Sequence, residues 1–171
     1  MCIRDRAVTS LPDIRIGQGF DMHPFSDDPE RDLVLGGVRF PEDRGLVGHS
    51  DSDVIAHAIT DAVLGAAGLG DIGGFFPDTD PALEGADSIA LLRSAVAALA
   101  DAGWKVVNAD CTVVLDSPKI APVRDLMQQH LSEALDAPVL VKGKRTEGIG
   151  ALGRGEGIAC WAVALVAKRD S

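Results

Sequence analysis

Apolar positions along the chain recur with two different periods, and each change of period marks an element. Residues 14–20 (IRIGQGF) and 33–40 (LVLGGVRF) read as strands, separated by a polar loop over 26–32. From residue 54 the spacing becomes helical, with Val54, Ile55, Ala58, Ile59, Ala62 and Val63 on one stripe. Ser50 or Asp51 would cap that helix, and Gly65, Gly68 and Gly70 would end it near residue 68. Asp53, His57 and Asp61, each one helical turn from the next, form a polar line beside the stripe. The Gly-, Asp- and Pro-rich segment 70–87 is too long for a simple connector, which marks it as functional. A second helix, capped by Asp87 or Ser88, runs to about residue 102, and a strand follows over 106–115. After Ser117-Pro118-Lys119, Pro122 opens a third helix to about residue 135, and residues 139–141 form a short strand. The glycine-rich segment 148–157 leads into a last strand over 158–167. This order predicts an α/β chain, an α+β sandwich with a mixed four-stranded sheet and its helices packed on one face.

At 171 residues the chain is long enough for one well-buried domain and short for two. That domain is expected over 13–171, because residues 1–12 (MCIRDRAVTSLP) fit no element and read as a disordered lead or a linker remnant. Apolar residues make up 46% but aromatics only 4%, so the core is built of small side chains. The net charge of −10 comes with no basic stripe, which excludes nucleic acid as a partner. An anionic small molecule is still compatible, since a bound metal or a helix N-terminus can outweigh the global field. Cys2, Cys111 and Cys160 are far apart and in no metal-type spacing, so they read as reduced thiols of a cytoplasmic protein. The longest apolar run, 158–167, is a buried strand and too short to span a membrane, and no secretory signal opens the chain.

The candidate chemistry lies in two short polar clusters. In Asp21-Met22-His23 the first and third side chains share a strand face and can reach one point. His49-Ser50-Asp51 precedes the helix that carries His57. Two histidines and one carboxylate suit Zn²⁺ with a coordination position left open for a substrate oxygen. The same residues also read as ordinary polar groups at element ends, and Asp61 and Asp71 taken singly read as solvated or capping residues. A two-His, one-Asp site alone would equally serve a metal-dependent phosphoesterase or pyrophosphatase. Gly17-Gln18-Gly19 is not a dinucleotide fingerprint, because Met22 occupies the third glycine position. The glycine-rich 150–157 lacks the Gly-Lys-Ser/Thr ending of a phosphate-binding loop.

Four motifs occur in order: IGQGFDMH (16–23), GHSDSDV (48–54), GDIGGFFPDTD (70–80) and GRGEGIA (153–159). Together they closely resemble the 2-C-methyl-D-erythritol 2,4-cyclodiphosphate synthases of the non-mevalonate isoprenoid pathway, over about residues 14–168. The resemblance implies a homotrimer with sheets facing the threefold axis and active sites between neighbouring subunits. It implies a lyase acting on 4-diphosphocytidyl-2-C-methyl-D-erythritol 2-phosphate, a cytidine diphosphate substrate, with release of cytidine monophosphate. On the matching positions, Asp21, His23 and His57 would hold Zn²⁺ and Glu147 would hold Mg²⁺ or Mn²⁺. His49 and Ser50 would contact phosphate, with His49 counted among the catalytic groups and Met22 beside the metal ligands. Asp61, Asp71, Ile72 and Gly73 would meet the methylerythritol, and Phe76, Asp78 and Asp80 would line the same pocket. Residues 115–121, with Pro118, Lys119, Ile120 and Ala121, would form the cytidine pocket, Lys119 lying near the phosphates.

Three positions depart from the family. Lys144-Arg145-Thr146 stands where most members carry consecutive threonines, so Arg145 occupies the place of the threonine that stabilises the transition state. A guanidinium can bind phosphate more strongly than a hydroxyl, which makes Arg145 a catalytic candidate. Gln18 replaces a histidine that is not a metal ligand, and Ala151 replaces a phenylalanine of the axial cavity where some members hold an isoprenoid diphosphate. Arg154 would sit at the mouth of that cavity, or else form a structural ion pair with Glu156 across subunits. A non-catalytic trimer that binds isoprenoid diphosphates is thus a third reading, although such a binder has no need of both metal sites. Some members are fused to an upstream cytidylyltransferase, which is one origin for residues 1–12.

Overall fold

In chain order the elements are β1 (Ile14–Pro24), β2 (Leu33–Leu35), β3 (Val38–Phe40), α1 (Val54–Ala67), α2 (Ile72–Phe75), α3 (Ser88–Asp101), β4 (Trp104–Val114), α4 (Arg124–Leu135), β5 (Val139–Lys144), α5 (Gly150–Gly153) and β6 (Gly157–Lys168). A short 3-10 turn spans Pro81–Leu83. This computed structural model describes residues 13–169; the expected lead over 1–12 lies outside the described residues. The main sheet has the order β1-β6-β4-β5 and is mixed, as the alternation of elements predicts. β1 and β4 both run antiparallel to the central β6, while β4 and β5 are parallel. The parallel pair requires a crossover, which α4 supplies.

All three long helices lie on one face. α1 packs on β1 and β6, α3 sits beside it and reaches β4, and α4 covers β5. Residues of β1 alternate accordingly, with Gly17 and Gly19 buried beneath α1 and Ile16, Gln18, Phe20 and Met22 on the uncovered side. That uncovered face is largely apolar: Ile16 is 71% exposed, and Trp161, Val163 and Leu140 are also open to solvent. No helix among the described residues is long and apolar enough to cross a membrane.

The contact between β1 and α1 is backbone on backbone. A Cβ on Gly19 would stand 1.9 Å from the Ala58 carbonyl oxygen, and one on Gly17 would stand 2.0 Å from that of Ala62. Alanines 58, 62 and 66 supply the matching short side chains on α1, so small residues on both partners set a close spacing.

Two local expectations are corrected. Residues 33–40 are a hairpin of β2 and β3 rather than one strand, turned at Gly36 and Gly37 with φ +57° and +72°. Two consecutive positive φ values are those of a type I′ turn, which glycine adopts without a Cβ penalty. The cap of α1 is Asp53, in place of Ser50 or Asp51. Its fully buried carboxylate accepts from Ile55 N (3.0 Å) and Ala56 N (3.2 Å). It also accepts from Gly36 N (2.9 Å) and Gly37 N (2.7 Å), and so ties the hairpin turn to the helix start. Burial, reinforced by the charge of Asp51, pushes the Asp53 carboxyl up from 3.8 to about 6 against the pull of those N–H donors. Elsewhere the elements extend beyond the expected bounds: β1 runs on through His23 to Pro24, and β5 runs on to Lys144.

The glycine contact yields a paired prediction for urea unfolding. Gly19→Ala should cost about 3 kcal/mol, the upper end of what overpacking costs, because backbone must move. Gly65→Ala, at a helical site with open space around it, should instead stabilise by about 0.5–1 kcal/mol.

Candidate metal and substrate site

Asp21 and His23 project from β1 on the side that faces α1, and α1 delivers His57 from its first turn. Asp21 Oδ2 lies 3.1 Å from His23 Nε2 and 3.0 Å from His57 Nδ1, and the two ring nitrogens are 3.4 Å apart. Among the described residues, this is the only group of three ligand-type side chains whose donor atoms all lie within 4.8 Å of one another. The side chains of Asp21, His23 and His57 are 22%, 20% and 11% exposed, so the cluster is recessed but open.

The hydrogen bonds around the cluster assign its electron pairs. His23 Nδ1 donates to the Val47 carbonyl (2.6 Å), which leaves Nε2 as a bare acceptor facing Asp21. Gly48 allows this approach, since a Cβ there would stand 3.0 Å from His23 Cε1. On His57, Nε2 is met by Ser88 Oγ (2.8 Å) and Ser50 Oγ (3.1 Å), and Nδ1 faces the cluster. With both rings neutral, acceptor pairs from two imidazoles and one carboxylate converge, a repulsion that a proton on a ring or a bound cation relieves. Burial alone would raise Asp21, but hydrogen bonds and charge interactions with His23 and His57 outweigh it and bring the carboxyl from 3.8 down to about 2. Burial likewise works against a charged His23, yet Asp21 beside it wins and raises the imidazole above 6.5. The donor set fits a divalent metal of the zinc type.

A cavity of about 190 Å³ opens over the cluster, lined also by His49, Ser50, Ile72, Gly73, Phe76 and Asp78. The long loop 70–87 supplies four of these residues, held in shape by α2 and the 3-10 turn. His49 Nε2 donates to the Asp80 carbonyl (2.8 Å), joining the His49 loop to that wall. Asp61, Asp71, Asp80 and Met22 stand outside the lining in the single chain. Asp61 accepts from Ile72 N (3.1 Å), Asp71 from Gly74 N (2.7 Å) and Asp80 from Ala82 N (3.0 Å), so all three carboxylates shape the loop. Met22, between two inward-facing neighbours, lies on the bare side of the sheet.

A second cavity of about 440 Å³ is lined by Pro118, Lys119, Ile120 and Ala121 from the β4–α4 loop and by Gly143, Lys144 and Arg145 from β5 and its end. Arg145 is well exposed, with Nε 3.7 Å from Asp116 Oδ1. Thr146 is buried and its hydroxyl donates to Asp116 Oδ2, so it anchors the turn. The Thr146 bonds hold the Asp116 carboxyl below the usual range. Glu147 is exposed at φ +52° and belongs to no three-ligand cluster among the described residues. A cation there would be held by this one carboxylate together with phosphates of a substrate, a mode that suits Mg²⁺. Arg154 Nε pairs with Glu156 Oε1 (2.6 Å) within the chain.

Residues 14–167 match the model of the YgbB family. The chain belongs to the YgbB family. It is 52% identical over 158 residues to the 2-C-methyl-D-erythritol 2,4-cyclodiphosphate synthase of Yersinia enterocolitica, covering 91% of this chain and 98% of that protein. The fold superposes on the bifunctional IspDF from Campylobacter jejuni with TM-score 0.88 and 40% identity. That match covers 94% of this chain but 44% of the bifunctional protein, so the chain spans less than half of its length. It also superposes on IspF of Plasmodium falciparum in complex with CDP, with TM-score 0.79 and 34% identity, over 94% of this chain and 100% of that one.

The family motifs mark the three side chains of the cluster, but the parts that three other groups play in organising it carry no sequence signal. Arg31, in the polar loop before β2, donates to the carbonyls of Leu46, Gly48 (2.8 Å) and Ser50 (2.6 Å) and to Ser52 Oγ (2.7 Å), and so clamps the loop that carries His49. Ser88 and Asp51, which read as helix caps, sit behind His57.

The raised His23 makes metal affinity pH-dependent. A metal must displace the proton from His23, whereas Asp21 stays ionised to about pH 2. Zn²⁺ affinity should therefore be level well above neutrality and fall about tenfold per pH unit, for each proton displaced, once the pH drops below the raised His23 value. Competition with a chromophoric chelator between pH 5 and 9 measures this; affinity that rises on acidification would contradict the assignment.

Proposed function

We propose that this chain is a 2-C-methyl-D-erythritol 2,4-cyclodiphosphate synthase. It would convert 4-diphosphocytidyl-2-C-methyl-D-erythritol 2-phosphate to the 2,4-cyclodiphosphate and cytidine monophosphate. The observation that carries this reading is the three-ligand cluster with an open side, set in the wall of a cavity formed by the family's own loop motif. A relative at 52% identity that bears this name supports it, as does the CDP complex of a structural neighbour.

An oxygen of the 2-phosphate attacks the β-phosphorus of the cytidine diphosphate group and forms the P–O bond that closes the ring. The bond from that phosphorus to the bridging oxygen breaks, and its electron pair leaves with cytidine monophosphate. Zn²⁺ held by Asp21, His23 and His57, and Mg²⁺ or Mn²⁺ held between Glu147 and the diphosphate, would supply charge neutralisation at the phosphorus. The chain's own residues position the reactants. Ser50 Oγ already accepts from Ser52 N (3.2 Å), and its hydroxyl proton is available to a phosphate oxygen. His49, committed at Nε2 to Asp80, has Nδ1 left to meet a phosphate. Lys119, Lys144 and Arg145 surround the proposed cytidine diphosphate pocket with positive charge. Holding nucleophile and phosphorus in line is worth on the order of 7–11 kcal/mol in an intramolecular transfer. No general base is needed, because a phosphate monoester, with its second pKa near about 6, is already ionised at neutral pH.

We further propose a homotrimer with the bare sheet faces turned to the threefold axis and active sites between subunits. The apolar side chains exposed on that face support it. So does the separation of the two cavities, which share no lining residue and lie at opposite edge strands. In this reading residues 13–171 form one domain. The setting is cytoplasmic, in keeping with the free, buried Cys111 and Cys160.

Mass spectrometry of the protein incubated with substrate, Zn²⁺ and Mg²⁺ tests the proposal. Equimolar cyclic diphosphate and cytidine monophosphate are expected, and linear hydrolysis products would show a phosphoesterase instead. Arg145→Ala should lower kcat by roughly 10–100-fold, as expected for loss of a charge-assisted phosphate contact of about 1.5–3 kcal/mol. Unchanged turnover would remove Arg145 from the catalytic set.

A further inference from the structure

Ser88 is fully buried at the first position of α3, directly after the cap. The capping here is done by its neighbour, since Asp87 accepts from Ile89 N (2.8 Å). The Ser88 hydroxyl instead lies between two groups from elsewhere in the chain: it donates to Asp51 Oδ1 and stands 2.8 Å from His57 Nε2. A hydroxyl has one proton. With that proton on the Asp51 carboxylate, Ser88 Oγ can meet His57 only as an acceptor, so His57 Nε2 must carry the hydrogen. An imidazole with its hydrogen on Nε2 presents a free electron pair at Nδ1, the atom that faces Asp21 and His23.

We propose that Ser88 and Asp51 are positioning residues for the metal ligand His57, forming a carboxylate–hydroxyl–imidazole chain that fixes its tautomer and ring orientation. The chain rests on the metal reading of the cluster. Asp51 is itself held by several bonds. It accepts from Ser88 N (3.1 Å) and Asp53 N (3.2 Å), and its own N–H donates to the Ala86 carbonyl (3.1 Å). A carboxylate anchored in this way draws positive charge toward the imidazole and strengthens Nδ1 as a donor to a cation. The same anchor binds the loop carrying His49 and Ser50 to the start of α3. Metal ligand and phosphate-facing loop therefore share one support, and Ser50 Oγ at 3.1 Å from the same Nε2 closes it.

The test is Zn²⁺ affinity by chelator competition together with the His57 Nε2–H proton resonance of the zinc-loaded protein. Wild type should bind Zn²⁺ and show a slowly exchanging Nε2–H signal. Ser88→Ala should weaken Zn²⁺ binding by roughly 10–100-fold and speed exchange of that proton, with its unfolding midpoint recorded alongside. Ser88→Thr, which keeps the hydroxyl, should restore both readouts. Ser88→Ala with wild-type affinity and an unchanged resonance would overturn the proposal, and so would lowered thermal stability as its sole effect. Failure of the wild type to bind Zn²⁺ would overturn the metal reading itself and this inference with it.

Discussion

The site depends on how closely one helix can approach one strand. Gly17 and Gly19 remove the side chains from the inner face of β1, and the carbonyls of α1 settle into the space. Beyond those glycines the same strand face carries Asp21 and then His23, and the same helix carries His57 directly before Ala58, whose carbonyl meets Gly19. The spacing that packs the core thus also sets the distances between metal-facing atoms. Close-packed interiors transmit such spacing with little slack. A larger residue at either glycine would lift α1 and with it the His57 ring, so core and chemistry share one constraint.

Around that contact the chain resolves an electrostatic conflict. It carries a net charge of −10, yet the proposed substrate is a polyanion. The cluster gathers three ligand-type side chains that could hold a cation, and the second cavity gathers Lys119, Lys144 and Arg145 at the opposite edge of the sheet. Both lie at the same end of the strands, because the register aligns Met22 with Ala159, Ala159 with Val114 and Val114 with Lys144. Local cations, rather than overall charge, then decide what binds.

Much of the fold and the front of the site were legible in the sequence, and the reasons are physical. Asp21 and His23 announce themselves through strand periodicity, and His57 through its place beside an apolar helical stripe, since local spacing alone fixes which way those side chains face. The Gly36-Gly37 turn was also available, because adjacent glycines between apolar residues mark a hairpin. The cap of α1 was not decidable locally. Asp51 and Asp53 are both cap-type residues, and the choice falls to Asp53 because Gly36 and Gly37, far away in sequence, supply donors to it. The contacts of Ser88, Asp51 and Arg31 were invisible for the same reason: each acts through a partner from another element, and no spacing rule connects residue 88 to residue 57. Asp71 and Asp80 in the long loop, and Asp61 in α1 beside it, show the converse: the sequence marks each as a substrate contact, and one oxygen of each accepts from a backbone N–H that shapes the loop.

X-ray absorption at the zinc edge, on protein loaded with one equivalent of Zn²⁺ and then given CDP, reads the coordination shell of the cluster itself. Two imidazole nitrogens at about 2.0–2.1 Å and a carboxylate oxygen at about 2.0–2.2 Å are expected, with an exchangeable light ligand in the fourth position. Addition of CDP should replace that ligand with a phosphate oxygen and bring a phosphorus scatterer into the next shell. A coordination shell without both imidazoles, or one that CDP leaves unchanged, would contradict the claim that Asp21, His23 and His57 form an open metal site for a diphosphate.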